Sequence, residues 1–162
     1  MTRRELELSV KRHIAAPPAR VWQIMTDRIT EWWCPKPWTT TIAKLEWRQG
    51  GAFHLVMRGP AGEADCQGED DLGGVLLEYE PGRRFIFTDA LSEGWHPRDP
   101  FLVGSFEIEP DGDGTHYRAS ARHWTPEAVE QHRKMGFEQG WGAVADQLAA
   151  LAEAPERALT DA

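Results

Sequence analysis

The spacing of apolar residues changes near Thr125, and this change limits the folds open to the chain. Before it, apolar residues such as Leu6, Leu8 and Val10 alternate with polar ones, which is the period of a strand with one buried face. After it, apolar residues recur three and four positions apart, in the stripe of an amphipathic helix, at Phe137, Trp141, Val144, Leu148 and Leu151. The sequence therefore predicts strands followed by a C-terminal helix.

Turn signals divide the first part of the chain into strands and one short helix. Gly50-Gly51, Pro81-Gly82 and residues 111–114 supply the residue types that tight turns favour. A short helix through Trp22 follows Pro17-Pro18, because proline is tolerated in a first helical turn. The predicted strands cover residues 6–14, 40–48, 53–57, 73–80, 84–91, 101–109 and 115–124. Hairpin connections between them predict an antiparallel meander.

The C-terminal helix has a clear predicted start at Thr125-Pro126-Glu127. Threonine caps helices, proline suits the first position and glutamate favours the first turn. We expect one continuous helix to about Glu153, around which the strands must curve to bury both apolar faces. This predicts an α+β helix-grip fold in one domain, residues 1–154, with residues 155–162 as a disordered tail. Glycines within the helix favour close packing or internal space, at Gly136, Gly140 and Gly142.

Charge and composition exclude several classes of function. The net charge is −8 and the 18 Lys and Arg residues are scattered, so we expect no nucleic-acid partner. No apolar run reaches the length of a membrane span, and the N-terminus lacks the apolar stretch of a signal peptide. We therefore expect a cytoplasmic protein in which Cys34 and Cys66 stay as two thiols.

Motifs for metals, cofactors and nucleophilic catalysis are missing from the sequence. No histidine pair has the spacing of a helical metal site, and the five carboxylates between residues 63 and 71 lack the ordered spacing of a calcium loop. The sequence has neither a nucleophile elbow nor a glycine-rich phosphate loop. We expect no metal, no cofactor and no assigned catalytic residue.

Several short motifs together resemble one family. They are VKRHIAAPPARVW at residues 10–22, the Trp32-Trp33 pair, GGAF at 50–53, PGRRFIFT at 81–88 and MGFEQGW at 135–141. In order and spacing the chain resembles the heat-shock-protein-90 ATPase activator homologue-like family, in the START and birch-pollen-allergen superfamily (SRPBCC). The resemblance implies a cavity between sheet and long helix, and a ligand that is unassigned in most members. We do not expect the chaperone function, because the eukaryotic activators carry a further N-terminal domain that this sequence lacks.

Aromatic residues are the main candidates for the cavity wall. Eight Trp beside two Tyr favour wide apolar walls, since Trp combines a large apolar body with one N–H. Trp124 is one candidate on the last strand. The predicted ligand-binding residues are Trp33, Trp38, Phe53, Leu55, Met57, Phe87, Trp95, Phe106, Tyr117, His123, Phe137 and Trp141.

The histidines are divided by their position in the predicted elements. His123 falls in phase with Tyr117, which places a titratable ring beside the ligand space. Arg84 and Arg122 are further candidates for fixing a ligand's polar end. The remaining histidines considered are expected at the solvent-exposed surface, namely His54, His96, His116 and His132.

Three functions fit these observations. The first is binding of a small hydrophobic molecule. The second is an enzyme similar to polyketide cyclases or dehydratases, with His123 and either Asp89 or Glu107 as acid and base. The third is an interaction module, on a chaperone or as a homodimer through exposed tryptophans of the 31–38 loop.

Overall fold

The computed structural model describes residues 3–60 and 73–155 of the 162-residue chain, and an α+β architecture is confirmed. The strands are β1 (Glu7–Ile14), β2 (Thr39–Leu45), β3 (Phe53–Arg58), β4 (Val75–Glu80), β5 (Arg84–Thr88), β6 (Leu91–Ser92), β7 (His96–Pro97), β8 (Val103–Asp111) and β9 (Gly114–Arg122). The helices are α1 (Pro18–Asp27), α2 (Pro126–Lys134) and α3 (Phe137–Glu153), with 3-10 turns at Arg3–Leu6 and Ile29–Glu31. Cys66 and the predicted tail beyond residue 155 lie outside the described residues.

The main sheet has five antiparallel strands in the order β1-β9-β8-β5-β4. Strands β4, β5, β8 and β9 follow the predicted meander, and β1 joins the far edge beside β9. The register places Tyr117 opposite both Arg12 on β1 and Ile108 on β8. The β2–β3 ribbon meets β4 through an Ala52–Val75 bridge and a Phe53 N–H that donates to the Gly74 carbonyl at 3.0 Å. The ribbon therefore extends the curved sheet at its β4 edge.

Helix α3 lies along the sheet and closes the core. Its buried face carries Val144, Ala145 and Leu148, which pack with Phe106 of β8 in the main apolar cluster. The guanidinium of Arg20, in α1, donates to the carbonyl of Ala152 in the last turn of α3 and to that of Ala154, the C-cap residue. The two helices are thus joined at the C-terminal end of α3, where the last backbone carbonyls have no partner within the helix.

The C-terminal segment forms two helices, so the prediction of one continuous helix is wrong. Thr125 caps α2 as predicted, because its hydroxyl accepts a hydrogen bond from the Ala128 N–H at 3.1 Å. The helix is interrupted at Gly136, whose φ of +95° lies in the left-handed region. That conformation is open to glycine but costs other residues about 1–2 kcal/mol. The break turns α2 away from the axis of α3.

Within the described residues, no helix has the length and apolar character needed to span a membrane.

Candidate functional site

A pocket of about 250 Å³ lies between the sheet, α2 and α3. Strands β3, β5, β8 and β9 each contribute wall residues, and α2 and α3 contribute the opposite side. Eight of the twelve predicted ligand-binding residues line it, namely Trp33, Phe53, Leu55, Met57, Phe87, Phe106, Tyr117 and Trp141. Alternation along the strands and the helical stripe of α3 point to all of these residues except Trp33, which lies in a loop.

The apolar wall is a continuous set of packed rings. Phe106 lies at its centre, with its ring centroid 5.0 Å from Trp33 and 5.6 Å from the stacked ring of Trp141. Phe53 of β3 and Phe87 of β5 stack with their ring centroids 4.7 Å apart. Contacts of this kind hold each ring in one orientation. The wall is therefore continuous and apolar.

Gly140 provides open space on the helix side of the pocket. The nearest atom to a Cβ built at Gly140 is Cγ of Pro35, at 3.9 Å. Both residues line the pocket. A side chain at position 140 would therefore extend into the cavity.

Four predicted site residues lie outside the pocket lining. Trp95 is 56% exposed in the β6–β7 turn, where its ring lies beside Gly50. Trp38 is half-buried next to β2. Phe137 is buried in a second apolar cluster with Leu8 and Leu102. These three aromatics stay predictions as ligand contacts, since their backbone positions direct them away from this pocket lining. Trp124, a further candidate, is exposed.

The fourth, His123, is buried behind the wall and contacts a histidine that does line the pocket. His132 is buried, so its predicted exposure is wrong. In one continuous helix His132, nine residues before Trp141, would lie about 180° away from it. Because the helix breaks at Gly136, the His132 ring instead packs edge-on against Trp141, with centroids 6.0 Å apart. The last-turn residues 132–134 followed by a glycine are a helix-ending signal that would have predicted this break.

A chain of two hydrogen bonds runs from His132 through His123 to a backbone carbonyl, and each ring donates from its Nδ1. His123 Nδ1 lies 2.7 Å from the carbonyl oxygen of Phe101, and His123 Nε2 lies 2.9 Å from His132 Nδ1. A carbonyl oxygen only accepts, so His123 carries its proton on Nδ1. In neutral His123, Nε2 then accepts a hydrogen bond from the Nδ1–H of His132.

Burial keeps both rings neutral. Burial, together with the smaller effect of the neighbouring His123, lowers the pKa of His132 to about 4. Burial also lowers the pKa of His123, although its bond to Phe101 and the charge of Asp89 oppose the shift. At neutral pH, His132 therefore presents an unprotonated Nε2.

Tyr117 supplies the second polar group of the pocket. Its side chain is fully buried, and its hydroxyl has no hydrogen-bond partner among the described residues. Burial raises the pKa of the phenol far above its usual value, so the hydroxyl stays protonated. It is a buried donor on the pocket wall.

Cationic groups do not contribute to the described lining. Its ionisable residues are Asp89, Tyr117 and His132. Asp89 is buried, and its Oδ1 accepts the N–H groups of Phe101 and Leu102 at 2.9 and 3.1 Å.

The charged residues predicted to assist a ligand or a reaction are paired elsewhere. Arg84 pairs with Glu78, Arg122 with Glu7, and Glu107 with Arg118. His54, predicted at the solvent-exposed surface, is half-buried, with Nε2 3.0 Å from Glu93. In residues 3–60 and 73–155, no cluster of three His, Cys, Asp or Glu side chains is arranged to hold a metal.

The tryptophans of the 31–38 loop are not exposed as the interaction hypothesis requires. Trp32 is fully buried, and its Nε1 donates to the Ile24 carbonyl at 3.3 Å. Trp33 is half-buried against the pocket. Cys34 is buried, and its sulfur accepts a hydrogen bond from the Thr40 hydroxyl.

Comparison with known proteins identifies the family. The sequence matches the family model of Activator of Hsp90 ATPase homolog 1-like protein over residues 15–153. The chain belongs to this family. The resemblance predicted from its motifs is thereby confirmed. No curated protein matches this AHSA1-like chain.

Solved structures share the fold of this AHSA1-like chain. A protein from Nitrosomonas europaea is 35% identical, with a TM-score of 0.82 over 91% of this chain and 94% of its own. A protein from Mycobacterium smegmatis is 25% identical, with a TM-score of 0.74 over 93% and 92%. The AHSA1 protein of Silicibacter pomeroyi, 19% identical with a TM-score of 0.64 over 89% and 95%, shares the fold alone. The helix-grip architecture is thus common to these proteins.

Proposed function

We propose that this AHSA1-like protein binds a small, largely apolar molecule in the pocket between the sheet and helices α2 and α3. The observation that carries the proposal is an aromatic wall containing a fully buried Tyr117 hydroxyl without a partner among the described residues. An unpaired buried hydroxyl costs about 1–3 kcal/mol. A ligand oxygen that accepts its hydrogen bond removes that cost.

The size of the pocket limits the ligand. An apolar cavity of about 150 Å³ is enough for benzene, and pockets for drug-sized ligands begin near 300 Å³. The volume of about 250 Å³ lies between these values. A ligand of one substituted ring or two fused rings therefore matches it. Burial of such rings against Phe106 and Trp141 contributes about 25 cal/mol per Å² of apolar surface.

Filling the pocket from Gly140 tests the proposal. Gly140 does not have a positive φ, so leucine is compatible with its backbone. The space in front of its Cβ is open, so the leucine side chain would occupy the cavity. Naphthalene binding should be measured by calorimetry. We expect Gly140→Leu to weaken binding at least about tenfold, corresponding to about 1.4 kcal/mol.

Gly140→Ala is the matched control, because one methyl group leaves most of the space. It should retain binding within a few fold. Equal naphthalene affinity in the leucine variant and the unaltered protein, or no binding in either, would contradict the pocket as the binding site. Native mass spectrometry followed by solvent extraction then identifies any small molecule that copurifies.

The other functions considered from the sequence gain no specific support. In the enzyme hypothesis His123 would act as acid or base, yet both its ring nitrogens are within hydrogen bonds to Phe101 and His132. Homodimerisation, a chaperone partner and cytoplasmic location stay predictions.

A further inference from the structure

We infer that the pocket selects an uncharged ring compound carrying a hydroxyl group, whose proton is donated to Nε2 of His132. This inference rests on the proposed function and specifies the chemical class of its ligand. It makes His132 the residue that determines specificity, and it assigns His123 the role of a positioning residue.

The direction of the hydrogen-bond chain decides what His132 offers. The Phe101 carbonyl fixes the proton of His123 on Nδ1, and the 2.9 Å contact between the rings then fixes the proton of His132 on its own Nδ1. The second ring nitrogen of His132, Nε2, is left with a lone pair. Since the His132 ring lines the pocket, this nitrogen is an acceptor for a ligand donor.

A hydroxyl satisfies this acceptor, whereas an ether oxygen or a carboxylate does not. Neither an ether nor a carboxylate has a proton to donate at neutral pH. Tyr117 complements the arrangement, because it lines the pocket and its buried, protonated hydroxyl has no partner among the described residues. His132 and Tyr117 thus offer one acceptor and one donor, both neutral.

The charges around the pocket disfavour an ionic ligand. An anion would be buried beside the Asp89 carboxylate without Lys or Arg in the described lining. Arg12, opposite Tyr117 in the sheet, donates its Nε to Asp146 at 2.8 Å. For a cation, Asp89 is the one carboxylate in the described lining, and the two backbone N–H groups that its Oδ1 accepts reduce its attraction. Burial of an uncompensated charge costs far more than burial of a neutral group.

Four naphthalenes substituted at the same ring position test the inference. They are naphthol, methoxynaphthalene, naphthoate and naphthylmethylammonium, compared at pH 7 by calorimetry. We expect naphthol to bind about tenfold more tightly than methoxynaphthalene, and both ions to bind more weakly than methoxynaphthalene. Naphthoate or the ammonium as the tightest ligand would overturn the inference while leaving the proposed function intact. Failure of all four, with naphthalene also unbound, would overturn both.

His132→Phe removes the acceptor and keeps a ring of similar shape. In this variant naphthol and methoxynaphthalene should bind equally, with methoxynaphthalene affinity close to that of the unaltered protein. An undiminished preference for naphthol would exclude His132 as its acceptor.

Nitrogen NMR of histidine-labelled protein tests the same hydrogen-bond chain without a substitution. Both His123 and His132 should carry their proton on Nδ1, and naphthol should shift the Nε2 resonance of His132. A spectrum with the His132 proton on Nε2 would overturn the inference.

Discussion

Tyr117→Phe should stabilise the unliganded protein, although it removes a polar group from a buried tyrosine. The hydroxyl is fully buried and has no partner among the described residues, so it contributes a desolvation cost of about 1–3 kcal/mol. Loss of the oxygen also leaves a small void, which offsets part of the gain. We expect the free energy of unfolding to rise by about 1 kcal/mol, or about 2–4 °C in Tm.

The assay is urea unfolding at pH 7, followed by tryptophan fluorescence, with the midpoint shifted and the m-value unchanged. The chain's second tyrosine is the control. Tyr79 is half-buried, with its ring 5.9 Å from Trp22 and 5.7 Å from Trp47. Tyr79→Phe should change stability by less than about 0.5 kcal/mol. A fall of about 1 kcal/mol for Tyr117→Phe would mean that the hydroxyl is hydrogen-bonded in the folded protein, and the reasoning would be refuted.

Ligand binding should respond to the same substitution with the opposite sign. Tyr117→Phe removes the donor to the ligand oxygen, so naphthol should bind about 2–10-fold more weakly. Damage to the fold would lower both stability and affinity. A gain in one with a loss in the other therefore distinguishes a binding role from a structural one.

Two further predictions concern the segment around the helix break. The pKa of His132 falls from 6.5 to about 4 on folding, so the unfolded chain binds more protons between these values, and the free energy of unfolding should fall by about 1–2 kcal/mol from pH 7 to pH 5. The pKa of His123 shifts in the same direction. Urea unfolding across this pH range should show a smaller dependence of the free energy of unfolding on pH in His132→Phe. In His96→Gln, which alters an exposed histidine, that dependence should be unchanged. At the break itself, Gly136→Ala should cost about 1–2 kcal/mol because its φ is +95°. Gly140→Ala, inside α3, should stabilise by about 1 kcal/mol; destabilisation of equal size at both positions in urea unfolding would contradict the backbone argument.

The sheet and the apolar wall could be predicted because they depend on periodic patterns. Alternation placed Phe53, Leu55 and Met57 on one face of β3, and the helical stripe placed Trp141 and Val144 opposite them. These patterns hold whatever the neighbouring elements are. Trp95 carries no such pattern, because it lies in a turn with positive φ, so its side chain direction is set by the local backbone.

The polar end of the pocket could not be predicted from the apolar stripe. The apolar stripe predicts His132 on the outer face of a long helix, because it assumes that the helix continues without interruption. The interruption depends on a single residue, Gly136, whose left-handed conformation changes the direction of the chain. A periodicity measured over many residues is insensitive to such a change. The local helix-ending pattern before it contains the missing information.

Pocket shape and pocket chemistry therefore have different origins in this chain. The curved sheet and α3 produce the aromatic wall, which the fold alone explains. The break at Gly136 brings α2 against the Phe101 segment, where His123 and His132 meet. Because the Phe101 carbonyl determines the tautomer of both rings, the backbone of one loop sets the polarity of an atom two hydrogen bonds away. A change in that loop would alter ligand preference without touching the apolar wall.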